Sequence, residues 1–154
     1  MTGELMKIIL ASDHAGFAIK QTLKQHLSLQ PYQVVDGGTF DEGSCHYPTY
    51  AFLAGEAVAK KEVEFGIIIC GSGIGISIAA NKVKGVRAAV GYHDEAVRKS
   101  REDNDANMIA FGARYMNVED MIRRIKIFLT TPYLKGRHES RVDLITDYEK
   151  KHFK

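Results

Sequence analysis

Cys70 opens the segment Cys70-Gly71-Ser72-Gly73-Ile74-Gly75, a thiol followed by three glycines at alternate positions. A strand–loop–helix junction of this kind offers backbone N–H groups to an anion and favours the reactive thiolate form of a cysteine. That places a candidate base or nucleophile beside a candidate cradle for an oxyanion or phosphate. Two further groups carry chemistry. Asp13-His14 pairs a carboxylate with an imidazole, and Lys135-Gly136-Arg137-His138-Glu139-Ser140-Arg141 spaces two arginines four apart, the interval that puts both on one helical face to clamp a phosphate. Each group also has a plain structural use. The glycines allow a tight turn, a strand-end cysteine is often an inert core thiol, a histidine after a strand can be a polar cap, and an arginine pair is commonly a solvated face.

The surrounding pattern places these groups. Met6–Ser12 reads as a strand, Phe17–Leu29 as an amphipathic helix with apolar Phe17, Ile19, Leu23 and Leu27, and Gln33–Asp36 as a second strand. Tyr47–Lys61 reads as an Ala-rich helix with Pro48 in its first turn, followed by the β-branched run Phe65–Ile69 that leads into Cys70. Val86–Gly91 and Met108–Gly112 read as further strands, separated by a charged helix over His93–Glu102. Helices over Val118–Leu129 and Glu139–His152 complete the chain. Strands alternating with helices imply right-handed crossovers and a three-layer α/β/α sandwich around a Rossmann-like, five-stranded parallel sheet, all in a single domain over residues 1–154. Such sheets take ligands outside the carboxyl ends of their strands. Asp13-His14, Cys70–Gly75 and Gly112-Ala113-Arg114, which follow the first, third and fifth strands, are therefore expected to converge on one crevice.

Composition excludes other classes. The chain has 154 residues, 45% of them hydrophobic and 26% charged, and a formal net charge of +2 with no basic stripe, which argues against a nucleic-acid binder. No run approaches the ~18 apolar residues of a membrane span, and the opening Met1–Leu5 shows no signal-peptide pattern. With no export signal, Cys45 and Cys70 are expected as reduced thiols in a cytoplasmic protein. Cys45-His46 alone makes a poor zinc pattern, so that loop is expected to have no role and no metal is expected.

Taken together, Ser12–Gly16, Tyr47-Pro48, Cys70–Lys82, Gly85–Ala88, Asn104–Asn107, Phe111–Arg114 and Gly136–His138 resemble, in order and over nearly the whole chain, the type B ribose-5-phosphate isomerases and the related galactose-6-phosphate isomerase subunits. The Cys–Gly segment is the most specific match, and its continuation Ile76–Lys82 looks like the ribose-phosphate branch. The resemblance implies interconversion of ribose 5-phosphate and ribulose 5-phosphate without metal or cofactor, as a step of the non-oxidative pentose phosphate pathway. By that likeness Cys70 moves a proton between C2 and C1 through a cis-enediol(ate). The N–H groups of Gly71–Gly75 stabilise the developing oxyanion, and Ser72, where threonine is common in the family, donates to the substrate oxygens.

The same likeness assigns Asp13 to sugar hydroxyls, His14, Arg114, Arg137 and Arg141 to the phosphate, and Tyr47, Asn104, Gly75, Gly73 and His138 to the pocket. It further implies a homodimer, in some members paired into a tetramer, with a helix and loop around Asn104 and Arg114 reaching across to complete the neighbouring site. One position departs from the pattern. Many ribose-phosphate members carry a histidine, credited with opening the furanose ring, where this chain has Asp103. Three readings stand: Asp103 accepts the anomeric proton, His14 or His138 opens the ring, or the enzyme uses the open-chain sugar; the first is adopted, which counts Asp103 with Cys70 and Ser72 as catalytic. Two alternatives to the pentose reading also stand, an isomerase of a six-carbon aldose phosphate such as allose 6-phosphate or galactose 6-phosphate, and a sugar-phosphate-binding protein without turnover.

Overall fold

The computed structural model describes residues 4–154; residues 1–3, part of the segment read above for a targeting signal, lie outside it. Five strands form one parallel sheet: β1 (Met6–Ser12), β2 (Tyr32–Asp36), β3 (Phe65–Cys70), β4 (Ala88–Val90) and β5 (Met108–Gly112), in the order β2-β1-β3-β5-β4. The first crossover carries the chain to β2 on one side of β1 and the next returns it to β3 on the other, so the switch point lies between β1 and β3. Register places Ser12 opposite Ile69, and Cys70 opposite Gly112. The ends of β1, β3 and β5 therefore meet side by side, as expected.

Alternation along the strands divides the core. Ile8, Leu10, Ile67, Ile69, Ile109 and Phe111 face α1 (Phe17–Ser28), α4 (Asp94–Glu102) and α5 (Val118–Thr130). Ile9, Ala11, Ile68, Cys70, Met108 and Ala110 face α2 (Tyr47–Ala59) and the short α3 (Ile74–Ala80). Ala51 and Ala54 keep the inner side of α2 small, which lets it lie close to the sheet. The sixth helix, α6 (Glu139–His152), stands beyond β4 and leaves a groove of about 610 Å³ lined by Ala88, Ala89, Leu144, Ile145, Tyr148 and Phe153. No helix among the described residues is long and apolar enough to cross a membrane.

Boundaries differ from the sequence reading where side chains compete for the backbone. β4 spans Ala88–Val90 rather than Val86–Gly91, because Arg87 is engaged with Asn107: its N–H donates to Asn107 Oδ1 at 2.8 Å and its carbonyl accepts from the Asn107 N–H at 2.9 Å. α2 ends at Ala59 rather than Lys61, whose φ of 60° leaves the helical region. α1 stops one residue early, at Ser28, and β2 begins one residue early, at Tyr32.

Arg101 fixes the far end of the α4 layer. Its buried guanidinium donates to the carbonyls of Thr131 (3.1 Å) and Ala106 (2.6 Å), pairs with Asp105 at 2.9 Å and lies 4.9 Å from the centre of the Phe65 ring. One buried cation thus ties the ends of α4 and α5 together, with Nε and Nη1 donating to two carbonyls and a carboxylate. This clamp sets the position of the neighbouring Asp103 and Asn104.

Candidate active site

The sheet delivers Cys70 to the end of β3 with its side chain only 4% exposed. The Gly73 N–H points back at Cys70 Sγ at 3.2 Å, a turn made possible by φ +80° at Gly73. A Cβ there would stand 2.9 Å from the carbonyl carbon of Phe111 on β5. Gly73→Ala is therefore expected to cost on the order of 1–3 kcal/mol of stability and to turn the N–H away from the sulfur, which thermal melts and turnover of the same variant would register together.

Ser72 Oγ accepts the Ile74 N–H at 3.1 Å, which leaves its own hydrogen available to a ligand oxygen. Five loop amides from Gly71 to Gly75 were expected to face an oxyanion. Two are occupied, that of Gly73 on the sulfur and that of Ile74 on Ser72. The N–H groups of Gly71, Ser72 and Gly75 make no hydrogen bond among the described residues and remain for a ligand.

Three more groups surround the loop. Asp13, 6% exposed, accepts the Gly16 N–H at 3.2 Å on Oδ1, while Oδ2 has no partner among the described residues. His14 Nδ1 accepts the Cys45 N–H at 3.2 Å, which in the neutral ring assigns the hydrogen to Nε2. This corrects the expectation that the Cys45–His46 loop has no role. The contact joins residues 31 apart in sequence and leaves no local signal. The Arg114 guanidinium lies over Gly71 and the Tyr47 ring over Gly75, each 2.7 Å from where a Cβ would sit.

The remaining predicted residues lie elsewhere. The Gly66 N–H at the start of β3 donates to the Asn107 carbonyl at 3.0 Å, and the Leu134 N–H donates to the Glu102 carbonyl at 3.1 Å. These bonds hold Asp103, Asn104, Arg137 and His138 at the amino ends of the strands, with Arg141 three residues further along α6. From Gly66 to Cys70 is about 13 Å of strand. One chain therefore does not bring the two sets together: Asn104 and Arg114, expected together around a helix and loop that reach across a dimer, stand at opposite ends of β5. Arg137 lies in the single-turn 3-10 segment Gly136–His138 and Arg141 in the first turn of α6, so they share a helix start rather than one regular helical face. Asp103, expected to accept the anomeric proton, has Oδ1 3.2 Å from His138 Nε2. Among the described residues no group of three or more His, Cys, Asp or Glu side chains is placed to hold a metal ion.

A thiol, a carboxylate, an imidazole and a guanidinium gather around amide donors at the switch point of an open parallel sheet, groups whose chemistry suits proton transfer on a small anionic ligand. Residues 8–145 match the Ribose/Galactose Isomerase family model. The ribose-5-phosphate isomerase B of Escherichia coli (strain K12) is 41% identical over 147 residues, covering 96% of this chain and 99% of the relative. The structure of Clostridium thermocellum ribose-5-phosphate isomerase B superposes with a TM-score of 0.93 at 42% identity, covering 96% of this chain and 99% of that one. That of ribose-5-phosphate isomerase B from Mycoplasma genitalium with bound ribulose-5-phosphate does so at 0.91 and 35%, covering 96% and 99%. The chain belongs to the ribose/galactose isomerase family, and its likeness there is to the type B ribose-5-phosphate isomerases. It is an enzyme of the isomerase class.

Proposed function

We propose that the protein interconverts ribose 5-phosphate and ribulose 5-phosphate, a step of the non-oxidative pentose phosphate pathway, by proton transfer at Cys70. The observation that carries this reading is the buried Cys70 sulfur beside the open Gly71, Ser72 and Gly75 amides. The thiolate takes the C2 proton of the open-chain aldose, electrons move into a cis-enediolate, the O2 hydroxyl proton passes to O1, and the thiol returns its proton to C1 as the C2 carbonyl forms. No net oxidation occurs, so the step needs a base and an electrophilic cradle but no redox cofactor. The Ser72 hydroxyl and the open amides meet the developing charge on the substrate oxygens. Asp13 Oδ2 accepts a sugar hydroxyl, Nε2–H of His14 and the Arg114 guanidinium hold anionic oxygen, and Tyr47 walls the pocket.

Asp103, Asn104, Arg137, His138 and Arg141 enter the site from a second copy of the chain related by two-fold symmetry, which sets the amino-end cluster of one copy against the Cys70 cluster of the other. Apolar side chains left exposed on α3 and α6, Ile74, Ile78, Leu144 and Tyr148, suit burial in such a homodimer. A further pairing into tetramers is compatible with it. This arrangement divides phosphate binding between Arg114 of one copy and the arginine pair of the other. The protein acts in the cytoplasm on this reading.

The test is turnover measured side by side on ribose 5-phosphate, allose 6-phosphate and galactose 6-phosphate, with mass determined in solution. Ribose 5-phosphate is expected to give the highest kcat/KM by at least about tenfold, the scale on which a missing or extra carbon is discriminated, in a particle of two or four chains. A hexose phosphate winning the comparison would move the substrate class, and binding without turnover would make the protein a sugar-phosphate receptor.

A further inference from the structure

The Asp103–His138 pair is the one carboxylate–imidazole ion-pair contact among the described residues, and it sits outside the Cys70 cluster. The side chains are 30% and 15% exposed, so both are sheltered without being sealed off. Asp103 caps the end of α4, clamped through Arg101, and His138 closes the 3-10 segment just before α6. Two independent elements thus hold one contact. A carboxylate 3.2 Å from Nε2 favours the ring form that carries its hydrogen there. His138 Nδ1 then has a free lone pair, and it makes no hydrogen bond among the described residues. Arg137 and Asn104 flank the pair in sequence, so the imidazole stands among groups suited to a sugar phosphate.

We propose that His138 is the acid–base group that opens the furanose ring of the aldose phosphate, with Asp103 as the residue that positions it. This inference rests on the two-copy isomerase reading above. An aldopentose 5-phosphate is mostly a closed hemiacetal, and Cys70 cannot form an enediolate until C1 is a carbonyl. His138 Nδ1 accepts the anomeric O1 proton, the C1–O1 bond becomes a carbonyl as the C1–O4 bond breaks, and the imidazolium returns that proton to O4. One proton moves from O1 to O4 and no other reactant is consumed. Asp103 is not the proton acceptor itself; it keeps the ring in the accepting form and faces the imidazolium while it is charged.

Ribulose 5-phosphate separates the two steps, because with O5 phosphorylated a 2-ketopentose cannot close a furanose. Loss of its C1 proton to deuterated water, followed by NMR, needs Cys70 but no ring opening, whereas turnover of ribose 5-phosphate needs both. His138→Gln is expected to lower ribose 5-phosphate turnover by about 10²–10³-fold while C1 exchange falls less than tenfold. Asp103→Ala is expected to shift the same ratio in the same direction, to a smaller extent. Cys70→Ala, the control, loses both activities. Equal losses of exchange and turnover in the His138 and Asp103 variants, or turnover left at the wild-type rate, would overturn the assignment. Absence of both activities in the wild-type protein would instead overturn the isomerase reading beneath it.

Discussion

Replacing Cys70 by alanine is expected to lower kcat on ribose 5-phosphate by about 10³-fold, within the range attributed to a positioned general base, and to leave KM within a fewfold of its starting value. The sulfur is held by the Gly73 amide at 3.2 Å and sits 4% exposed beside amides that a ligand can reach. On the proposed mechanism its contribution is proton transfer in the transition state, so losing it would remove stabilisation there and little ground-state affinity. The phosphate and sugar hydroxyls would still meet Arg114, His14 and Asp13. Steady-state kinetics on both sugar phosphates checks the split. A variant whose KM rises with kcat intact would make Cys70 a pocket-lining residue.

The largest stability effect is expected at Asp36. Lys20 on α1 is fully buried, and its Nζ lies 2.6 Å from Asp36 Oδ1 at the end of β2 and within 5.5 Å of the ring centres of both Phe17 and Phe40. Lys24 adds a second contact at 3.1 Å, and the Gly38 N–H donates to the same carboxylate at 3.0 Å. Burial by itself would raise the Asp36 carboxyl, but the bonds from Lys20, Gly38 and Lys24 outweigh it and hold the group below the ordinary value of 3.8. Asp36→Ala leaves a buried ammonium without its counterion, a change expected to cost about 3 kcal/mol, or roughly 6–12 °C in Tm for a chain of this size.

The sign of its pH dependence follows from the lowered carboxyl. A group depressed on folding contributes fully above its unfolded pKa and loses that contribution as pH falls through the folded value. The stability difference between wild type and Asp36→Ala should therefore be complete at neutral pH and shrink between roughly pH 5 and pH 2. Urea titrations at several pH values measure it. A difference that grows toward acid would contradict the pairing.

Legibility in the sequence followed the range of the forces involved. β1, β5 and α6 have the bounds read from the chain because apolar runs and helix periodicity are local signals, and β3 runs one residue further, to Cys70. β4 was read too long because Arg87 turns to Asn107, twenty residues away, a partner that periodicity does not contain. Strand order was not legible: nothing in Met108–Gly112 announces that β5 lies between β3 and β4. Nor is the burial of Lys20, which depends on an aspartate sixteen residues on.

The candidate site divides along the same line. Cys70, Ser72 and the glycines were legible because a strand end, a turn and their chemistry lie within six residues. Asp13, His14 and Arg114 joined them through a general rule about where parallel sheets bind ligands. The expected site residues of the other cluster lie at the opposite end of the strands. α4 runs back against the strands, so Asp103 and Asn104 return to the amino ends, and the bond between Leu134 and Glu102 carries Arg137 and His138 there too. Seeing that separation required the topology. The link from the Cys45 amide to His14 and the approach of Asp103 to His138 required the coordinates of both partners.

The proposed isomerisation rests on one thiol, Cys70. Its most direct test is alkylation by iodoacetamide, with modification of Cys70 and Cys45 quantified peptide by peptide while turnover is followed. Remaining activity should track the unmodified fraction of Cys70 one to one, independently of Cys45, and saturating ribose 5-phosphate should slow both losses together. Full alkylation of Cys70 with turnover intact would exclude this thiol as the proton-transfer base.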